Sequence, residues 1–178
     1  VGKVASVSGR YYAMDRDNNF DRIKLAYDAI IESKGKEYNN YNEVFKDSYS
    51  NNITDEFIIP SVLDKNGNIE DNDGIIFFNF RPDRLRELGS IFTNYEYECF
   101  DRKKIENLKV VTMMPVSDTV ECPSAFKLQK LDNTLGEYIS KLGYSQLRIA
   151  ETEKYAHVTY FFDGGIDTIF EKEKRILV

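Results

Sequence analysis

The sequence predicts an α/β fold. Short β-branched runs alternate along it with stripes of apolar residues at helical spacing. Residues 75–80 (Ile-Ile-Phe-Phe-Asn-Phe) are apolar at nearly every position, the pattern of a strand covered on both faces. Prolines and glycines fall at the joints between runs. With 42% hydrophobic and 13% aromatic residues in 178, there is apolar surface for a core, and general disorder is excluded.

In chain order, residues 4–7 are expected to form a short buried strand that stops at Ser8-Gly9. Phe20, Ile23, Tyr27, Ile30 and Ile31 then recur at three- and four-residue steps, an amphipathic helix behind a cap region at residues 17–19 and ended by Lys34-Gly35. A shorter helix is expected over residues 43–49, with Val44, Phe45 and Tyr49 apolar. Residues 56–62 read as an edge strand, because Pro60 lacks a ladder donor, and residues 64–68 read as a turn. After the strand at 75–80, Pro82 suits the first position of a helix through Leu85, Leu88, Ile91 and Phe92. A second apolar strand covers 109–113.

From 115 to 132 the periodicity fails, and this stretch is the expected linker between a domain at 1–114 and another at 133–178. Thr134-Leu-Gly-Glu137 is a capping-box pattern ahead of a helix through Leu142, with Gly143 as its stop. Residues 147–150 suit a strand, and 151 to about 162 a helix ended by Gly164-Gly165.

Thirty acidic residues against 24 basic ones give a net charge of −6, which argues against generic binding to nucleic acid or an anionic membrane. No apolar run approaches a membrane span and no signal peptide is visible. Val1 opens directly on a strand-like segment and residues 175–178 stop on another, so both ends look cut from something longer. Cys99 and Cys122 read as reduced cytosolic thiols. His157 is the only histidine, so a metal site that needs two imidazoles cannot be completed within this chain.

Three segments carry candidate chemistry. In Arg81-Pro82-Asp83-Arg84, at a strand-to-helix junction, the two arginines are expected on the same side of one helical turn, beside free backbone N–H groups. Two guanidinium forks there suit a phosphate, though both arginines pairing with Asp83, Glu87 or other surface acids is an equal reading. Arg10 and Arg16 follow the first strand, where α/β folds place ligands, and both can reach one cleft from a loop. The plainer reading is a solvated loop neutralised by Asp15 and Asp17. Lys154 lies near the start of a helix after a strand and suits a point-charge contact to phosphate. His157 stands three residues on; a lone histidine is more often structural than catalytic.

Five stretches then resemble cofactor-independent phosphoglycerate mutases: residues 4–17 (VASVSGRYYAMDRD), 54–57 (TDEF), 77–84 (FFNFRPDR), 133–137 (NTLGE) and 147–158 (LRIAETEKYAHV). They occur in that family's order and together span nearly the whole chain. The resemblance implies the later half of an inserted substrate-binding α/β domain over 1–114, then, after the linker, the start of a resumed α/β domain like that of alkaline phosphatase. It implies an isomerase of glycolysis that interconverts 3-phosphoglycerate and 2-phosphoglycerate through a phosphoserine, with two Mn2+ ions and no 2,3-bisphosphoglycerate.

Residue by residue, Arg10 and Arg16 match arginines that hold the glycerate, and Arg81, Pro82, Asp83 and Arg84 match a phosphate-binding turn. Lys154 matches the catalytic lysine that contacts the transferring phosphoryl, while His157 falls in a motif without an assigned role. The nucleophilic serine and the metal ligands have no counterpart here, so this chain alone is expected to be inactive. The parent is expected to be a cytoplasmic monomer acting on a small molecule. Two alternatives stand beside it: another phosphomutase of the alkaline phosphatase superfamily, such as a phosphopentomutase, and a non-catalytic phosphometabolite-binding module. RNA binding through Tyr and Arg is disfavoured by the negative charge.

Overall fold

The computed structural model describes residues 2–178, with Glu153 described by its backbone alone. Its first strand is shorter than the apolar run that announces it. Strand β1 is Ser6–Val7, half-buried, and Val4 is exposed rather than buried. One turn of helix follows, α1 (Arg10–Ala13), so Arg10 opens a helix instead of lying in a loop.

Helix α2 spans Phe20–Ile31, with Ile23, Ala26, Tyr27, Ala29 and Ile31 buried on one face. Its end is made by Ser33, in the left-handed region at φ 49°, and the Lys34 N–H reaches back to the Asp28 carbonyl at 3.1 Å. The expected stop at Lys34-Gly35 therefore falls late: Ser33, not Gly35, takes the left-handed position.

Strand β2 (Lys36–Glu37) leads to α3 (Tyr41–Ser50), whose N-terminus closes reciprocally. Asn40 Oδ1 accepts from the Glu43 N–H, and Glu43 Oε2 accepts from the Asn39 N–H.

The expected edge strand at 56–62 is not one. Residues Asp55–Phe57 form a 3-10 turn, and only Ser61–Val62 extend, as β3. That strand lies in the middle of a three-stranded sheet, antiparallel to β1 and parallel to β2. Pro60 sits just ahead of it, so its missing N–H is not taken from the ladder. The 64–68 turn forms as expected, with the Gly67 N–H on the Asp64 carbonyl at 3.1 Å.

Strand β4 (Gly74–Phe77) pairs in parallel with β5 (Lys109–Thr112) and with no other strand among the described residues. The expectation that it is covered on both faces fails: Ile76, Phe78 and Phe80 are 72%, 73% and 62% exposed. Alternation decides this, because Ile75 and Phe77 turn to the core and their neighbours turn away. Between the strands runs α4 (Pro82–Thr93), with Pro82 in its first turn as the sequence predicts. Ile23, Tyr27 and Ile31 of α2 pack against Leu88, Ile91 and Phe92 of α4, with Ile105 beside them.

The chain forms two compact units, the first running to Lys127 and the second starting at Leu128. In the second, α5 (Leu135–Lys141) follows Thr134. Only half of the capping box forms. Glu137 accepts from the Asn133 N–H, while the buried Thr134 hydroxyl has no partner among the described residues. Gly143 supplies the stop at φ 77°. Strand β6 (Gln146–Ala150) pairs in parallel with β7 (Glu173–Leu177), and α6 (Thr152–Val158) lies between them in sequence. The helix expected to run to about 162 stops at Val158, where Thr159 leaves helical geometry at ψ −94°.

Candidate functional site

The loop from Met14 to Asn19 lies on the start of α4, and four consecutive contacts fix it there. Arg16 Nη1 reaches Asp83 Oδ2 at 3.1 Å. Arg84 Nη1 donates to the Met14 carbonyl at 3.0 Å, and Arg86 Nη2 to the Arg16 carbonyl at 2.8 Å. Glu87 Oε1 accepts from the Asn18 N–H at 3.0 Å, where Asn18 takes a left-handed turn at φ 60°. Residues far apart in sequence are thereby brought to one place.

Arg81 does not share a helical turn with Arg84 as expected. It precedes the helix in an extended conformation (φ −95°, ψ 111°), because the ring of Pro82 disfavours helical geometry in the residue before it. From there its Nε and Nη2 grip Asp83 at 3.0 and 2.7 Å. Asp83 is thus held by Arg81 from one side and Arg16 from the other. Hydrogen bonding from Arg81, against the penalty of burial and helped by Arg16, brings its carboxyl down to about 2. Arg10 stands on Glu56 at 2.9 Å, and both side chains are substantially exposed. The expectation that Asp15 and Asp17 neutralise the loop arginines is not met: Arg10 pairs with Glu56 and Arg16 with Asp83.

Asp15 has other work. It is buried and accepts the N–H groups of Asp17 and Asn19 at 3.0 and 2.8 Å, with Arg22 at 3.4 Å. Burial pushes its carboxyl up, but these hydrogen bonds outweigh that and hold it below the ordinary range. Arg22 also lies 4.0 Å above the ring of Tyr11.

Arg86 is a part of this arrangement that the sequence did not point to, and Asp15 and Glu87 were expected there only as acids that neutralise the arginines, not as the groups that hold the loop backbone. A signal for Glu87 was available. It is an acid inside the buried stripe Leu85, Leu88, Ile91, and its side chain is fully buried. Charged residues occupy such positions only with partners.

In the second unit, Lys154 sits in the first turn of α6, exposed, with its N–H on the Glu151 carbonyl at 3.0 Å. The His157 ring lies 5.5 Å from that of Phe161, tilted by 46°. Among the described residues no group of three His, Cys, Asp or Glu side chains is gathered as a metal centre requires. The residues present therefore do not fit a two-metal centre.

Comparison with known proteins bears on this arrangement. Residues 1–118 match the family model described as BPG-independent PGAM N-terminus, and residues 62–178 match the metalloenzyme superfamily. Over its full length the chain is 50% identical to the 2,3-bisphosphoglycerate-independent phosphoglycerate mutases of Acetivibrio thermocellus and Clostridium botulinum. It is 48% identical to that of Clostridium tetani. The chain spans 36% of the length of these relatives. A crystal structure of Leishmania mexicana phosphoglycerate mutase at low cobalt concentration aligns with 99% of this chain and 34% of its own, with a TM-score of 0.76 and 25% identity. The loop-on-helix site of Arg16, Asp83 and Arg81 is carried by a chain that belongs to the BPG-independent phosphoglycerate mutase family.

Proposed function

We propose that this chain supplies the substrate-holding arginines of a phosphoglycerate mutase, an isomerase that interconverts 3-phosphoglycerate and 2-phosphoglycerate. The observation that carries the reading is Asp83 between two guanidinium groups, with Arg84 on the same first turn of α4. A carboxylate gripped from two sides marks a place where positive charge is gathered, and a phosphate accepts more charge-assisted bonds there than a carboxylate does. Arg81 and Arg84 take the phosphate, with Pro82 and Asp83 shaping the turn. Arg10 and Arg16 hold the glycerate. Lys154 contributes a compact cation to the phosphoryl group that moves.

On this reading the first unit belongs to a substrate-binding domain and the second to a metal-binding domain like that of alkaline phosphatase. Two Mn2+ ions and the serine nucleophile come from sequence outside this chain, and 2,3-bisphosphoglycerate is not required. The parent works as a cytoplasmic monomer; no helix among the described residues is long and apolar enough to cross a membrane. The negative charge of the chain supports a small-molecule substrate over nucleic acid.

The experiment is kinetic. In the full-length polypeptide, Arg81→Ala and Arg84→Ala are each expected to lower kcat/KM by about 2–5 kcal/mol, or roughly 30- to several-thousand-fold. Lysine at either position is expected to recover only part of the loss, because it lacks the planar fork. Near-normal kcat/KM in both alanine variants would refute the assignment.

A further inference from the structure

We propose that Glu87 is a positioning residue: by gripping Asn18 it fixes the Met14–Asn19 loop on α4, and so sets where the Arg16 guanidinium stands. The inference rests on the reading of Arg16 as a substrate-holding residue.

The geometry is specific to this acid. The Glu87 side chain is fully buried, and only its Oε1 receives a backbone donor, the N–H of Asn18. Its Oε2 is buried and has no hydrogen-bond partner among the described residues. A buried carboxyl oxygen that receives no donor, and that feels the negative charge of Asp15, favours the protonated form.

The surroundings of the two carboxyls differ. Asp15 receives the N–H groups of Asp17 and Asn19, the Asn19 amide and the Arg22 guanidinium. Glu87 has one N–H and the Arg86 guanidinium at 3.8 Å, and burial, then the charge of Asp15, push its carboxyl up. Tyr97 also feels Glu87, and its hydroxyl is pushed up, by burial first.

Glu87 therefore ties Asn18 to α4. Arg16 lies two residues before that anchor in the chain, with its own carbonyl held by Arg86. Placement costs less when the residues flanking a binding group are already fixed. As pH rises through the Glu87 pKa the proton leaves, the carboxylates repel, and the loop loosens.

Three variants of the full-length polypeptide test this. Glu87→Gln keeps the acceptor for Asn18 and removes the charge that would repel Asp15. It is expected to leave KM for 3-phosphoglycerate within about twofold and to remove its rise at higher pH. Glu87→Leu fills similar space without polar atoms and is expected to raise KM about tenfold with kcat changed less than about threefold. In an Arg16→Ala background the same Glu87→Leu change is expected to add almost nothing, since its effect passes through Arg16.

Amide hydrogen exchange at Asn18 gives a readout without substrate: faster in Glu87→Leu, unchanged in Glu87→Gln. Unchanged Asn18 exchange in Glu87→Leu, or the same KM increase with and without Arg16, would overturn the proposal. If Arg16→Ala itself left KM unchanged, the arginine assignment beneath the proposal would fall. The exchange result would still stand for the hold of Glu87 on the loop.

Discussion

The two units of this chain bury opposite kinds of surface. The first is organised around an apolar interior, in which α2 and α4 enclose Ile23, Tyr27, Ile31, Leu88, Ile91 and Phe92. In the second, no large apolar side chain among the described residues is fully buried; the side chains shielded there are those of Arg148, Thr159, Asp163 and Glu173. Asp163 meets Arg148 at 3.1 Å and Arg175 at 3.7 Å, and Arg175 also binds Glu173 at 2.6 Å. Gly136 is packed so closely over this group that a Cβ would stand 2.8 Å from Asp163 Oδ1 and nearer still to the Arg148 guanidinium. An apolar interior tolerates small changes of shape at modest cost. A buried ionic group tolerates the loss of no member, because each charge it strands is desolvated.

The largest effect is therefore expected in the second unit. Asp163→Ala strands Arg148 and weakens the hold on Arg175, at an expected cost of about 3–5 kcal/mol. Hydrogen exchange resolved by unit should show protection lost over residues 128–178 and kept over the α2–α4 core. Loss in both units alike would mean that the ionic group is not a local organiser.

Ile91→Ala is the counterpart in the first unit. Ile91 is 1% exposed, and its truncation is expected to cost about 2–4 kcal/mol through lost transfer energy and a cavity. The protection lost should lie in α2 and α4. A cost below about 1 kcal/mol would show that the apolar interior closes up around the gap.

The smallest effect is one of sign. Asp83 is lowered to about 2 by Arg81 and by Arg16, so the stability it contributes is present above its unfolded pKa and is lost as pH falls towards about 2. Asp163 is raised, by burial first, with Arg148 opposing. Its contribution is full below its unfolded pKa and declines as pH rises through the folded value. Subtracting Asp83→Asn from the parent, and Asp163→Asn likewise, should give pH dependences of opposite slope. The Asp83 contribution is expected to stay below about 1 kcal/mol, since solvent screens its partners. Equal slopes would contradict the contrast between the two carboxyls.

What the sequence made legible follows the same division. Helices α2 and α4 were readable, because an apolar stripe at helical spacing reports one buried face and Pro82 marks a start. Strand β4 was readable as a strand but not in its surroundings. A continuous apolar run looks the same whether both faces are covered or one, and Ile76, Phe78 and Phe80 are open here. Pro60 misled for a related reason: it excludes one ladder position, not the residues that follow. The ionic group of the second unit left no periodic trace, since Arg148, Asp163, Glu173 and Arg175 look like surface charges until the fold gathers them.

In the candidate site the arginines stood out as residue types by local pattern and then by the resemblance, and Asp83 was among the partners weighed for Arg81, where it is found. The long-range partners were not legible: Arg16 on Asp83 and Arg10 on Glu56 join segments 67 and 46 residues apart.

Gly9 determines how fast Arg10 can change partner. A Cβ at Gly9 would stand 2.3 Å from the Glu56 carbonyl oxygen, so backbone lies on backbone at a distance that only glycine allows. The Gly9 N–H closes that seam on the Ile58 carbonyl at 2.8 Å. Arg10 and Glu56 therefore pivot from two points that are fastened together. Leaving Glu56 for another anion requires only that the guanidinium arm swing, a rotamer motion of picoseconds to nanoseconds for an exposed side chain, and no loop has to open on the slower scale of nanoseconds to microseconds. At this corner a change of partner is governed by the reach of one side chain.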